Sequence, residues 1–268
     1  MPDQVRRLGV MTTRGRPEMV GEARRRVEEA AAAAGIEVGS VEEGELDVLV
    51  VLGGDGTMLR ALRATLGTRT PVFGINFGRV GFLTTVGSEQ LDSALERAFA
   101  GDYRVVELCT LEARLDGGTQ PVVNDVVVTS SHPGRMVDLG WEIGGERLAD
   151  QPCDGMICCT PTGSTAYNLS NGGPVIMRGL DAMAITHVAP HSLHARPLVV
   201  PPGLGLTVWN RTADVSVAIL VDGQRVGDLD PQEALAIEVG GLKALLALLP
   251  EVTFFSRYRE VFLEAGDA

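Results

Sequence analysis

Apolar runs alternate with helical patterns over the first hundred residues of the chain. Nearly every position of residues 46–52 is apolar, which is typical of a parallel strand buried on both faces. A helical pattern follows at residues 58–66. The same alternation predicts further strands at 7–12 and 71–76, and helices at 17–34 and 88–100. The short links between these elements indicate a Rossmann-like α/β domain with a parallel sheet over residues 1–100.

The pattern changes near Gly101. Short β-rich runs follow, separated by turns of Gly, Asp, Asn and Pro, at residues 105–115, 121–129, 136–143, 156–160, 182–188, 206–209, 215–221 and 235–239. Strands without intervening helices predict an all-β, sandwich-like domain over residues 101–249. A helix at 256–263 is expected to complete the first domain through residues 250–268, so the predicted fold class is α+β overall.

The amino-acid composition limits the classes of partner that the chain is expected to bind. The 268 residues suit two domains, and 45% of them are hydrophobic. A net charge of −12 argues against nucleic-acid or anionic-membrane binding, which need basic surfaces. No run approaches the roughly 20 apolar residues of a membrane span, and no signal peptide is evident. The four cysteines form no CxxC pair, which predicts buried, reduced thiols in a cytoplasmic protein.

A glycine turn with one carboxylate follows the strand at 46–52. Gly53, Gly54 and Gly56 let the backbone turn sharply and let a ligand approach, and Thr57 is expected to cap the next helix. The alternative is a tight turn with an N-capping Asp55. Walker A and dinucleotide fingerprints are both absent. A carboxylate beside phosphates repels them unless it binds a metal or accepts a proton, which favours phosphoryl transfer to a hydroxyl.

Other polar stretches are open to two interpretations each. Residues 154–174 carry hydroxyls suited to ribose and adenine, with Tyr167 as a stacking face, yet also fit a helix start capped by Thr162 or Ser164. Asn124 and Asp125 break an apolar strand, which fits a ligand site or a strand start.

Residues 222–224 fit an ordinary hairpin turn. Arg60 and Arg79 are phosphate candidates beside glycine turns. The four histidines show no metal-binding pattern, and no metal ligands are predicted.

Several groups of residues closely resemble motifs of the bacterial NAD kinases, an ATP- or polyphosphate-dependent family. They are residues 53–57, 76–78 with 81–83, 124–125, and 160–167 with 172–174, continuing through 190–193 and 195–198 to 222–224. The resemblance covers essentially the whole chain in the family's order. The glycine–aspartate turn also occurs in diacylglycerol, sphingosine and phosphofructo-kinases, whereas the motif at 160–174 is far more specific.

The resemblance implies phosphoryl transfer from ATP, or polyphosphate, to the 2′-hydroxyl of the adenosine ribose of NAD, giving NADP. It also implies NAD bound between the two domains, Mg²⁺ or a similar divalent cation, and a homodimer or homotetramer. Asp55 matches the base that accepts the hydroxyl proton. The implied pocket consists of Asp55, Gly56, Arg60, Asn124, Asp125, Arg135, Asp154, Thr165, Ala166, Tyr167, Asn168, Leu169, Ser170, Ala189 and Gln224.

The chain departs from the family's pattern in three places. Pro152 stands where some relatives carry a basic residue, Asn168 replaces a common Ser, and Asn171 replaces a small residue. Two alternative functions share part of the pattern. A lipid kinase would keep the glycine–aspartate loop but need an apolar acyl cavity. A non-catalytic dinucleotide-binding regulator would keep residues 154–170 but need no acid at Asp55.

Overall fold

The computed structural model describes residues 5–13, 15, 17–78, 81–84, 86–115, 117–132 and 134–264. Contacts divide the chain into two compact units. The first consists of Met1–Glu107 with Ala244–Ala268, and the second of Leu108–Lys243. Among the helices described, none has both the length and the hydropathy that crossing a bilayer requires.

A parallel sheet forms the centre of the first unit. Its strands are β1 (Arg7–Thr12), β2 (Glu37–Gly39), β3 (Val48–Leu52), β4 (Val72–Asn76) and the short β5 (Val86–Gly87). They pair in the order β2–β1–β3–β4, with β5 joining the end of β4, and all pairs are parallel. Every residue of β3 and β4 is buried, as the apolar runs predict. The sequence pattern missed β2 because this short edge strand is mostly exposed.

Three helices pack on this sheet: α1 (Pro17–Ala33), α2 (Asp55–Ala64) and α3 (Leu91–Phe99). The buried faces of α1 and α3 join β1, β3 and β4 in one apolar core. The predicted start of α2 is wrong, because the helix begins at Asp55 with Gly54 as its N-cap. Thr57, predicted as the cap, is buried inside the first turn. The glycines therefore end the strand and start the helix without an intervening loop.

Antiparallel strands make up the second unit. They are β6 (Arg104–Leu115), which begins in the first unit, β7 (Gly118–Val122), β8 (Asp125–Ser130), β9 (Val137–Ile143), β10 (Glu146–Cys153), β11 (Gly155–Cys159), β12 (Met183–Val188), β13 (Leu198–Val200), β14 (Leu206–Asn210), β15 (Val217–Val221), β16 (Gln224–Leu229) and β17 (Ala234–Leu248). One sheet has the order β13–β12–β11–β8–β15–β16. A second set runs β10–β9–β14–β17, and β6 pairs with β17 and β7.

An aliphatic core lies between these two sets of strands, with contributions from both. This is the sandwich-like arrangement that the short β-rich runs predict. Among the described residues of the second unit, one α-helix occurs, α4 (Tyr167–Ser170), which follows a 3₁₀ turn at Gly163–Thr165. All four cysteines are buried and free.

The C-terminal segment belongs to the first unit. Residues Leu246 and Ala247 of β17 pair in parallel with β4, and α5 (Phe254–Tyr258) continues as a π-helix at Arg259–Leu263. The helix starts two residues earlier than predicted because Thr253 and Ser256 form a capping box. The predicted domain limits, at residues 100 and 249, differ from Glu107 and Ala244 because β6 and β17 run through both units.

Candidate active site

Asp55 lies at the turn from β3 into α2, in the first turn of the helix. Its two carboxylate oxygens accept backbone N–H bonds from Phe82 (2.8 Å) and Leu83 (3.1 Å). These donors come from the second glycine-rich turn, after β4. A carboxylate at a helix N-terminus is stabilised by the helix dipole, and two further donors fix its orientation. Asp55 is therefore a held, half-buried carboxylate with lone pairs left to accept a proton.

At two glycine positions near the Asp55 carboxylate, the structure has no space for a side chain. A Cβ on Gly81 would overlap the carboxylate of Asp55, and one on Gly53 would lie 2.6 Å from the hydroxyl of Thr57. Real Cβ atoms do not approach other atoms so closely. The glycines at these two positions thus have a steric reason beyond the sharpness of the turn.

A depression of about 380 Å³ opens beside the N-terminus of α2, lined by Thr13, Gly54, Gly56, Thr57 and Arg60. Arg60 donates from Nη2 to the carbonyl of Thr12 over 2.9 Å, which holds its guanidinium at the wall. First-turn N–H groups and a guanidinium suit an anion such as a phosphate. Arg79, the other phosphate candidate, lies outside the described residues.

The second unit carries a polar cluster at the start of β8. The predicted strand at 121–129 is broken here, because β7 ends at Val122 and β8 begins at Asp125. Asp125 is 5% exposed, and its carboxylate has no hydrogen-bond partner among the described residues. Burial, with a smaller contribution from the charge of Asp222, raises its pKa to about 7. The buried Oδ1 of Asn124 has no partner either within the described chain.

The stretch after β11 packs directly against this strand start. The Thr160 hydroxyl donates to the carbonyl of Val123 (2.7 Å), and the Thr160 N–H donates to the carbonyl of Asn124 (2.8 Å). A Cβ on Gly163 would overlap the Asn124 backbone. The hydroxyl of Thr162 is buried without a partner in the described structure. Two buried unsatisfied polar atoms, on Asn124 and Thr162, thus lie in neighbouring segments beside the Asp125 carboxylate, which is costly unless a ligand satisfies them.

Two polar residues of this stretch serve the protein's own backbone. The Ser164 hydroxyl donates to the carbonyl of Pro161 (2.6 Å) and accepts from the N–H of Ile176 (2.9 Å). The buried amide of Asn168 donates to the carbonyls of Ser164 and Pro174 and accepts from Thr186. Neither Thr162 nor Ser164 caps the 3₁₀ turn through its side chain. The amide of Asn168 is therefore engaged internally, although the resemblance places it in the pocket.

The remaining predicted pocket residues differ in exposure. Tyr167 is 46% exposed, which leaves a ring face open for stacking, and its neighbours Thr165, Ala166, Leu169 and Ser170 are half-buried or exposed.

Asp154 is exposed at the start of β11, and Ala189 follows β12 with a left-handed φ of 42°. Gln224 is exposed next to the β15–β16 turn. Arg135 already binds both carboxylate oxygens of Asp214 (2.7 and 2.8 Å).

Sequence reasoning missed the part that Asp222 plays. The residues 222–224 do form a hairpin turn, with φ of 50° at Asp222 and 75° at Gly223. However, the Asp222 carboxylate reaches the start of β8 and accepts backbone N–H bonds from Val123 and Asn124. The signal available in the sequence was only the motif match, because no local pattern shows which strand a turn carboxylate will face.

Both halves of the chain match the ATP-NAD kinase families. Residues 15–103 match the ATP-NAD kinase N-terminal domain, and residues 123–248 match the ATP-NAD kinase C-terminal domain. The NAD kinase of Heliobacterium modesticaldum is 42% identical over 221 residues, which cover 81% of this chain and 78% of that protein. The NAD kinase of Gemmatimonas aurantiaca is 35% identical over 231 residues, covering 81% and 80%.

Solved structures agree with this assignment. An NAD kinase from Archaeoglobus fulgidus in complex with ATP is 29% identical, with a TM-score of 0.78, and covers 96% of this chain and 97% of that one. A yeast NADH kinase complexed with NADH has the same fold, with a TM-score of 0.83 at 21% identity, over 99% of this chain and 89% of that one. The predicted α+β fold class and the family resemblance are thereby confirmed. The chain belongs to the NAD kinase family.

Proposed function

We propose that this chain is an NAD kinase, which transfers a phosphoryl group from ATP, or polyphosphate, to the 2′-hydroxyl of the adenosine ribose of NAD and forms NADP. The observation that carries the proposal is the match of both halves of the chain to the ATP-NAD kinase families. No comparison favours the lipid kinase or the non-catalytic regulator.

Asp55 is our candidate for the general base. A ribose hydroxyl is a weak nucleophile until its proton is accepted, and a positioned base contributes typically about 10²–10⁴-fold to the rate. The N–H bonds from Phe82 and Leu83 hold the carboxylate in one orientation. Each oxygen keeps a lone pair for the proton of the 2′-hydroxyl.

The donor phosphates are assigned to the depression beside α2. The first-turn N–H groups and Arg60 provide positive potential there without a loop lysine. No group of three or more acidic, His or Cys side chains that could hold a metal occurs within the described part of the chain. Mg²⁺ is commonly held by one or two carboxylates together with substrate phosphates. We therefore assign the divalent cation to the phosphoryl donor, where it would neutralise phosphate charge.

The adenosine part of NAD is assigned to the polar cluster of the second unit. Asn124 and Thr162 supply buried unsatisfied polar atoms, Asp125 supplies a buried carboxyl, and Tyr167 supplies an exposed aromatic face. Arg135, Asp154, Ala189 and Gln224 stay predictions as contacts at its edge. Asn168 is assigned a supporting role, since its amide hydrogen bonds are used within the protein.

Location and assembly are further parts of the proposal. The four buried free cysteines fit a reducing compartment such as the cytoplasm. We expect a homodimer or homotetramer, as the resemblance implies. Size-exclusion chromatography with light scattering measures this directly, and a monomer at working concentration would contradict it.

The decisive experiment incubates the purified chain with NAD, ATP and MgCl₂ and measures NADP with an NADP-specific dehydrogenase. We expect NADP to accumulate, and none to form when NAD or the phosphoryl donor is omitted. Parallel reactions with polyphosphate and with NADH define the donor and the acceptor. Failure to form NADP with either donor would refute the proposed function.

A further inference from the structure

A carboxylate at a hairpin tip holds the start of a neighbouring strand. Asp222 is buried in the β15–β16 turn, and its oxygens lie 3.1, 2.6 and 3.4 Å from the backbone nitrogens of Val123, Asn124 and Asp125. In return, the Asp222 N–H donates to the carbonyl of Asp125 over 2.9 Å. A turn of this type needs Asp-Gly only for its left-handed backbone. The contacts to three consecutive residues go beyond that need.

These contacts fix the direction of the two polar side chains that follow β7. Successive strand residues point to opposite faces, so a shift of this backbone by one register would exchange the positions of Asn124 and Asp125. Three N–H groups held by one charged acceptor resist such a shift, because hydrogen bonds to charged groups are the stronger ones. The side-chain oxygens of Asn124 and Asp125 thus depend on Asp222 for their placement.

Asp222 also acts on Asp125 through its charge. Asp222 has backbone donors to stabilise its negative form, whereas the buried carboxyl of Asp125 has no partner among the described residues. The other titratable groups facing Asp125 are the thiols of Cys158 and Cys159 on β11, and burial raises the pKa of both. No lysine or arginine of the described chain contributes to the pKa of Asp125, which burial and Asp222 raise to about 7.

We propose that Asp222 is a positioning residue of the nucleotide site, which holds Asn124 and Asp125 in place and keeps the Asp125 carboxyl available as a hydrogen-bond donor. A neutral carboxyl carries one O–H donor and one acceptor oxygen. The adenine edge offers the matching pair, a ring nitrogen acceptor beside an amino donor. This inference rests on the proposed function for the identity of the nucleotide, and it names Asp222 as a residue that, in addition to burial, shifts the pH range of its binding.

Two substitutions separate the two effects of Asp222. Asp222→Asn keeps an acceptor oxygen for the N–H of Asn124 but removes the charge, whereas Asp222→Ala removes both. Asp228→Asn is a matched control on the same hairpin, because Asp228 pairs with the exposed Arg225 on β16. Equilibrium binding of NAD to the full chain, measured by calorimetry from about pH 6 to about pH 8.5, is the readout.

We expect wild-type affinity for NAD to fall as the pH rises through about 7, where Asp125 ionises. In Asp222→Asn the fall begins at lower pH, because the repelling charge is gone, while affinity at about pH 6 stays near that of wild type. Asp222→Ala loses about tenfold or more at every pH, as expected when a charged acceptor is removed from buried donors. The control follows wild type throughout.

Equal losses in the Asn and Ala variants, or a pH profile unmoved by Asp222→Asn, would overturn the inference. The pH profile of the Asn variant decides the question even if the Ala variant does not fold. A failure of the proposed function is seen separately, as wild-type chain that binds NAD but forms no NADP.

Discussion

The backbone N–H of Phe82 donates to the carboxylate of Asp55 over 2.8 Å, and the ring of the same residue packs against the C-terminal segment. Its centroid lies 6.1 Å from that of Phe254 and 5.4 Å from that of Phe262. Arg257 adds a hydrogen bond of 2.9 Å to the carbonyl of Thr84. The donor that orients the proposed base is therefore supported by the last helix of the first unit.

Replacing the proposed base tests its role directly. Asp55→Asn keeps one acceptor oxygen but cannot take a proton, so we expect kcat to fall by about 10²–10⁴-fold while NAD still binds. Steady-state kinetics and calorimetry measure the two effects. Asp92→Asn is the control, because Asp92 forms a surface ion pair with Arg26, away from the turn that holds Asp55. Near-normal kcat in Asp55→Asn would rule out the base assignment.

A methyl group at position 81 tests whether the orientation of Asp55 matters. The Cβ of Gly81→Ala would overlap the Asp55 carboxylate and push it aside, so we expect kcat to fall by up to about 10²-fold with the fold retained. Gly21→Ala is the matched control, since nothing lies within 4 Å of its added Cβ. In α1 that change should stabilise the protein by about 0.5–1 kcal/mol. If both variants keep wild-type kcat, the carboxylate tolerates displacement.

Shortening an aromatic side chain tests the support from the C-terminal segment. Phe262→Ala removes the ring that packs on Phe82, and we expect a loss of about 1–3 kcal/mol in the free energy of unfolding together with a lower kcat. Phe255→Ala is the comparison, because Phe255 is 63% exposed and should lose less. Urea unfolding measures the difference. Equal losses in the two variants would show that the contact with Phe82 is unimportant.

A buried histidine predicts acid sensitivity of the fold. Neither ring nitrogen of His187 has a partner in the described structure, its ring stands edge-on to Trp141 at 5.4 Å, and burial lowers its pKa. The unfolded chain then binds the proton more readily than the folded one. The stability is fully present above about pH 6.5 and is lost as the pH falls toward the lowered pKa.

His187→Phe removes this titration while keeping a ring at the site. We expect the free energy of unfolding to depend less on pH between about pH 5 and about pH 7 than in wild type. His194→Gln, an exposed position, should keep the wild-type dependence. Urea unfolding at several pH values measures both. An unchanged slope in His187→Phe would assign the acid sensitivity to other groups.

Local patterns predicted the parts of the fold that depend on burial. The apolar runs located β3 and β4, because strands buried on both faces have continuous apolar sequence. The same logic missed β2 and β13, which are short and largely exposed. The start of α2 was misplaced because three glycines conceal the point where strand becomes helix. Capping by Gly54 leaves no side-chain signal there.

The candidate site likewise contains residues that local sequence patterns indicate and residues whose contacts only the structure shows. Asp55 stands out in the sequence because one acid among glycines has few structural reasons to be there, and its role as the base stays a prediction. Asn168 was not separable from its neighbours, since only the packing shows that its amide binds Thr186 and the turn carbonyls. The contact of Asp222 with residues 123–125 depends on which strands are neighbours in the sheet. Nothing in the sequence between residues 125 and 222 specifies that β15 lies beside β8.

The return of the chain to its first unit has a consequence for biosynthesis. The ribosome delivers β1–β4 early, but the strand that pairs with the open side of β4 arrives only with Leu246 and Ala247. Until then, the first unit keeps an unpaired, apolar edge at Val72 and Phe73 of β4, beside the residues that pair with β5. Such edges invite aggregation during synthesis. We therefore expect this protein to need a chaperone most while its first unit still lacks the C-terminal segment.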